Sequence, residues 1–181
     1  MQINRRLMLQ ASLLLPALAA SAAARLANAQ GLTGPAYEVT PWSGPVSSLG
    51  LVDTTGKTWQ LPDLQGRAVL LNFWASWCEP CRAEMPTLQQ VADLYGPDKL
   101  LVLAINFKES AARALQFAKT TGVSLPVLLD TDGKTAQKWG VKVFPTTLMI
   151  DGQGKARLRV IGEVDWTSPA AEKLIASLGK A

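Results

Sequence analysis

The sequence predicts an α/β domain: a central mixed β-sheet flanked by helices, with a β-hairpin extension on its N-terminal side. Three observations carry this. Residues 68–75 and 100–106 are continuous apolar runs of a length that suits strands buried on both faces, and a segment with helical spacing follows each. Residues 146–150 and 156–160 form a strand–turn–strand pattern across Asp151-Gly152-Gln153-Gly154, which adds antiparallel pairing. Ser168-Pro169 opens a closing helix, a cap residue followed by proline at the first helical position. Strand–helix alternation in the first half implies parallel strands with right-handed crossovers. The chain has 181 residues, of which 48% are hydrophobic, so it can bury a core without metal or disulfide staples.

Residues 1–29 read as an export signal peptide. Arg5 and Arg6 form its positive start, an apolar stretch runs from about Leu7 to Ala24, and Ala27-Asn28-Ala29 supplies a small-x-small cleavage pattern. A retained helix or membrane anchor is the alternative, but the run is short for a span and is interrupted by Pro16 and Arg25. Asn4-Arg5-Arg6-Leu7-Met8 also resembles a weak twin-arginine signal. Either route puts the domain in a periplasmic or other extracytoplasmic space. Residues 30–48, rich in Pro, Gly and Ser, read as an irregular linker. Residues 49–181 read as the folded domain.

Within that domain, residues 49–61 predict a hairpin turning at Asp53 and Gly56, and Asp63-Leu64-Gln65-Gly66 predicts a second turn. After the first apolar run, Met85, Leu88, Val91, Ala92 and Tyr95 recur at helical spacing until Gly96-Pro97 stops the helix. Pro86 lies inside it, where a kink is expected. Residues 110–121 form a second helix, with Ala111, Ala114, Leu115 and Ala118 on one face and Gly122 as its stop. A short strand at 126–129 and a short helix at 135–139 follow. Ala171, Leu174, Ile175 and Leu178 mark the inner face of the last helix.

Lys and Arg number 18 against 14 acids, a formal net charge of +4, of which Arg5, Arg6 and Arg25 account for all but one. The basic balance therefore belongs largely to the leader, and no nucleic-acid partner is indicated. The chain has two Cys and no His. Ser/His/Asp and Cys/His nucleophilic triads are excluded for want of an imidazole. A four-ligand zinc site would need a second chain, so no metal is expected.

Both cysteines stand in Trp77-Cys78-Glu79-Pro80-Cys81, where a buried strand meets a helix. A helix start offers unpaired N–H groups and partial positive charge, which favour thiolate, the form that attacks disulfides. Cys78 is nearest the exposed turn, and Cys81 lies one helical turn inward, within reach of a mixed disulfide on Cys78. Pro80 suits the first helical turn because it has no N–H there to leave unpaired. Covalent haem attachment would need His after the second Cys, and Arg82 stands there. An inert structural disulfide would close too small a loop to stabilise much. Copper binding by the two thiolates stays open.

Residues 72–86, Asn72-Phe73-Trp74-Ala75-Ser76-Trp77-Cys78-Glu79-Pro80-Cys81-Arg82-Ala83-Glu84-Met85-Pro86, closely resemble the active-site segment of thioredoxin-like proteins. Within them the segment is similar to the exported TlpA/ResA branch of thiol–disulfide oxidoreductases, which includes cytochrome c maturation reductases. Phe144-Pro145-Thr146-Thr147 resembles that fold's cis-proline loop, and Asp130-Thr131-Asp132-Gly133 and Gly162 also fit. The resemblance spans about residues 49–178.

It implies a thioredoxin-like fold in which Cys78 is the attacking thiol and Cys81 the resolving thiol. Pro145 should be cis and face the dithiol, shaping a groove for substrate backbone. Phe144, Trp77, Glu79 and Pro80 should border that groove, with Trp74 and Trp77 divided between core and docking surface. Cytoplasmic thioredoxins carry a buried Asp at the Asn72 position, and Asn72 cannot relay a proton. Residues 106–110 match the place where ResA-like proteins carry a Glu, so Glu109 is a candidate to tune Cys81 and accept its proton. Partial burial should then raise its pKa. The other reading of Glu109 is a solvated carboxylate at a helix start. The resemblance further implies a monomeric protein-disulfide reductase with no cofactor beyond the redox-active Cys78–Cys81 pair. Its substrates would be disulfides of partner proteins, apocytochrome c first and metal-site thiols of an oxidase subunit second. A membrane thiol transporter would supply electrons. The rivals are a disulfide-forming oxidase of the same fold and a non-enzymatic copper-binding module; a thiol peroxidase has no sequence signal of its own.

Overall fold

Along the first apolar run, successive side chains point to opposite sides of a sheet, and both sides are covered. This strand is the fourth in a computed structural model that describes residues 36–44 and 48–180. The expected export signal (1–29) and residues 30–35 and 45–47 of the expected linker lie outside the described residues. The strands are β1 (Tyr37–Pro41), β2 (Gly50–Val52), β3 (Thr58–Gln60), β4 (Ala68–Trp74), β5 (Leu100–Phe107), β6 (Val127–Asp130), β7 (Thr146–Ile150) and β8 (Ala156–Gly162). The helices are α1 (Glu79–Tyr95), α2 (Ala111–Thr121), α3 (Lys134–Lys138) and α4 (Pro169–Ser177). Six strands make one sheet in the order β1-β8-β7-β4-β5-β6, and β2 and β3 pair apart from it as the expected hairpin. β4, β5 and β6 run parallel, with Ala68 opposite Leu100 and Ala104 opposite Val127. β7 lies antiparallel to β4, and β8 to β7. This is the mixed α/β thioredoxin-like architecture with an added hairpin.

Leu70 and Trp74 of β4 point to the face covered by α1, α2 and α4, where they join Met85, Leu88, Phe117 and Ile175. Val69, Leu71 and Phe73 point to the other face, under Trp59 of the hairpin and Trp139 after α3. The alternation is the period of two that a strand imposes. Among the described residues no helix is long and apolar enough to cross a membrane.

Two expectations need correcting. Residues 37–41 are not irregular linker: β1 pairs antiparallel with β8 from Tyr37 opposite Gly162 to Pro41 opposite Leu158. An edge strand needs one partner only, and proline is tolerated at its end. Gly162 is what lets β1 close in. Its φ is +106°, and a Cβ there would overlap the Ala36 carbonyl oxygen. The second correction concerns α2. Its buried residues are Ala114 and Phe117, and Leu115 is exposed. The stripe advances by three from Ala114, which brings Phe117 against Trp74 at a ring separation of 4.6 Å.

Candidate active site

β4 ends at Trp74, and a turn closed by the Cys78 N–H donating to the Ala75 carbonyl (3.1 Å) leads into α1. Cys78 is the N-cap of this 17-residue helix, with extended backbone angles, and its Sγ accepts from the Cys81 N–H at 3.3 Å. Pro80 sits in the first turn. Cys78 and Cys81 are joined as a disulfide with their Cα atoms 5.3 Å apart. Cys78 keeps 6% exposure and Cys81 none. Solvent therefore reaches the first cysteine and not the second. The helix start stabilises negative charge on the sulfur that caps it.

The rim is apolar. Trp77 is 63% exposed and stands edge-on to Phe144, ring centroids 6.0 Å apart. Phe144 stacks in turn on Phe107 at 4.7 Å. The Phe144–Pro145 bond is cis, Pro145 is buried, and its carbonyl accepts from the Gly162 N–H at 3.0 Å. The cis-proline segment thus meets the dithiol segment through Phe144 and Trp77. Glu79 and Pro80 are exposed at the helix start. Trp74 is core and Trp77 is surface.

Glu109 differs from expectation. It is buried, but its carboxylate accepts from the Ser76 N–H (2.7 Å), the Ser76 hydroxyl (2.6 Å) and the Asn106 amide (2.8 Å), and Arg113 lies 3.2 Å away. Burial pushes its pKa up, yet these donors outweigh it and hold the carboxyl below the ordinary range. It is fixed as a carboxylate and anchors the turn two residues before Cys78. Lys108, just before Glu109, has φ +53°, a left-handed conformation few non-glycine residues adopt.

The acid missed in the sequence is Glu84. It lies one helical turn after Cys81 on the buried stripe of α1, at 1% exposure. Burial pushes its pKa up to about 8, although the Val164 N–H and the Asn72 amide donate to it. The signal was present: Cys81, Glu84, Met85 and Leu88 follow the i, i+3, i+4, i+7 pattern of one helix face. Asn72, fully buried on β4, also holds Thr147 at 3.0 Å, so the non-titrating residue at that position orients the titrating one. Among the described residues no group of His, Cys, Asp and Glu could hold a metal ion.

A mixed sheet carrying a dithiol at a helix start, beside a cis-proline, defines a thioredoxin-like protein. The AhpC/TSA family model matches residues 42–159, and the chain belongs to that family. It is 39% identical over 112 residues to the thiol-disulfide oxidoreductase ResA of Bacillus subtilis (strain 168), covering 62% of this chain and 63% of that relative. The chain thus spans somewhat less than two thirds of this curated relative's length. Among solved structures it resembles a DsbF homologue from Corynebacterium diphtheriae, with TM-score 0.66 and 32% identity over 81% of this chain and 95% of the other. It also resembles the exposed lipoprotein thioredoxin Etrx1 of Streptococcus pneumoniae strain TIGR4, with TM-score 0.61 and 31% identity over 72% of this chain and 99% of the other.

Proposed function

We propose that the protein is an extracytoplasmic thiol–disulfide oxidoreductase that reduces disulfides in partner proteins. The observation that carries this reading is the Cys78–Cys81 pair at the start of α1, with one sulfur accessible and one enclosed. In the reduced protein the Cys78 thiolate attacks a partner disulfide. One partner sulfur leaves as thiolate, and a mixed disulfide joins Cys78 to the other. The Cys81 thiolate then attacks Cys78 Sγ, re-forming the Cys78–Cys81 bond and releasing the second partner thiolate. Two electrons pass to the partner, whose two thiolates take up protons, while Cys78 and Cys81 give up theirs. Glu84, one helical turn after Cys81 and held mostly protonated at neutral pH by a pKa near 8, is suited to exchange that proton as Cys81 passes between thiol, thiolate and disulfide. The named activity of ResA supports the class, and the exposed-lipoprotein description of Etrx1 supports the compartment. Apocytochrome c is the first substrate class and metal-site thiols of an oxidase subunit the second. A membrane thiol transporter recharges the dithiol, since an oxidising compartment holds no soluble reductant pool.

The deciding experiment has two arms. Cys81→Ser in the native host is expected to accumulate a mixed disulfide on Cys78, whose partner is then identified, and Cys78→Ser is expected to trap nothing. Equilibration with glutathione is expected to give a reducing potential. A potential near the oxidising value of about −120 mV known for DsbA would replace the reductase with an oxidase.

A further inference from the structure

Beside the dithiol lies a shallow depression lined by Ser76, Arg82, Arg113, Gln116, Phe117 and Thr120. We infer that Arg82 and Arg113 form a subsite for a carboxylate side chain on the polypeptide whose disulfide is reduced. The inference rests on the reductase reading and adds the chemistry of the substrate segment. Arg82 directly follows Cys81 and its N–H donates to the Cys78 carbonyl at 3.1 Å, and Ser76 precedes Cys78 by two residues, so the depression is built from the segments on either side of the dithiol. Its two guanidinium groups come from different helices, α1 and α2, and their side chains are 53% and 68% exposed.

Arg113 is already held in place. Its Nε donates to the Ser76 hydroxyl at 3.1 Å and lies 3.2 Å from Glu109. These contacts engage Nε of a planar fork whose side chain stays 68% exposed, and a group ordered beforehand loses less freedom on binding. Arg82 has a looser neighbour. Its Nε lies 3.8 Å from the Glu79 carboxylate, which is 87% exposed, a weak contact that an incoming carboxylate can replace. Glu109 is enclosed and meets Arg113 at Nε, with Ser76 and Asn106 also donating to its carboxylate. Phe117 gives apolar contact for the methylene stem of a Glu or Asp, and Gln116 and Thr120 supply further polar atoms at the wall.

The test uses two disulfide-bonded peptides, identical except for Glu or Gln about three residues from one cysteine. Their reduction is followed under recharge by a chemical dithiol, for wild type, Arg82→Gln and Arg82→Gln/Arg113→Gln. The wild type is expected to prefer the Glu peptide by about fivefold in kcat/KM at low salt, the scale of two partly exposed ion pairs. The preference should reside in KM and fall toward one in about 0.5 M NaCl. It should be reduced in Arg82→Gln, which leaves the Arg113–Ser76–Glu109 contacts intact, and lost in the double variant. A wild-type ratio near one, or a ratio that survives both variants and high salt, overturns the subsite and leaves the reductase reading standing. Reduction of neither peptide by the wild type overturns both.

Discussion

Whether a buried carboxyl is held above or below its ordinary pKa depends on the donors it meets. Glu84 meets the Asn72 amide and the Val164 N–H, and burial wins. Glu109 meets Ser76 twice, Asn106 and Arg113, and the donors win. The two therefore give opposite pH dependences. At Glu84 the folded chain keeps a proton that the unfolded chain releases near the ordinary value of 4.5, so its contribution is full below that value and is lost as pH rises through about 8. Wild type is expected to lose stability relative to Glu84→Gln across this window, by on the order of a few kcal/mol. Urea midpoints against pH check this; parallel curves for the two proteins would remove the raised pKa. At Glu109 the contribution is full above the ordinary carboxylate range and is lost as pH falls below it. Glu109→Gln is expected to cost about 1–3 kcal/mol at neutral pH, with the deficit closing in acid. An equal deficit at all pH values would make it a packing effect. Cys78 and Cys81 were legible because two cysteines three apart need no tertiary context. Glu84 was harder to see because an acid on an apolar stripe looks like a surface residue until the stripe is followed back to Cys81.

Among the elements, those whose partners are close in sequence or whose burial is complete were the readable ones. β4 and β5 are continuous apolar runs, the hairpin of β2 and β3 joins neighbours, and α4 opens on Ser168, whose hydroxyl accepts from the Ala171 N–H. β1 is not readable, because its partner, β8, lies more than a hundred residues away and nothing local marks an edge strand. The face of α2 is ambiguous in sequence because Ala114, Leu115, Phe117 and Ala118 crowd five consecutive positions, so spacings of three and four both fit until Trp74 selects Phe117. The hairpin is tied by one side chain. Asp53 accepts from Thr55, Lys57 and the Trp59 indole N–H (2.8 Å); burial acts upward, but these bonds lower its pKa from 3.8 to about 2. Trp59→Phe is expected to cost about 1–2 kcal/mol and to speed amide exchange in β2 and β3 while β4 stays protected. Uniform acceleration across the sheet would mean that the hairpin and the core unfold as one unit.

For the whole molecule, the β1 edge is where stability and solubility meet. Tyr37 and Val39 pack against the core, and five residue pairs cover the flank of β8. A chain beginning at Trp42 is expected to be about 2–3 kcal/mol less stable than one beginning at Ala36, from the lost apolar burial, and to self-associate through the bared β8. Denaturation midpoints and light scattering compare the two. Equal midpoints would reduce β1 to decoration. The sheet, in turn, carries a molecule with two cysteines and no other thiol, both in one bond. Such a chain has a single intramolecular pairing available to it, so its oxidation needs no proofreading of disulfide isomers. On the proposed function, each copy would also be a carrier with a capacity of one electron pair. Once discharged it would be idle until refilled, so throughput would scale with the number of copies and the frequency of their refilling.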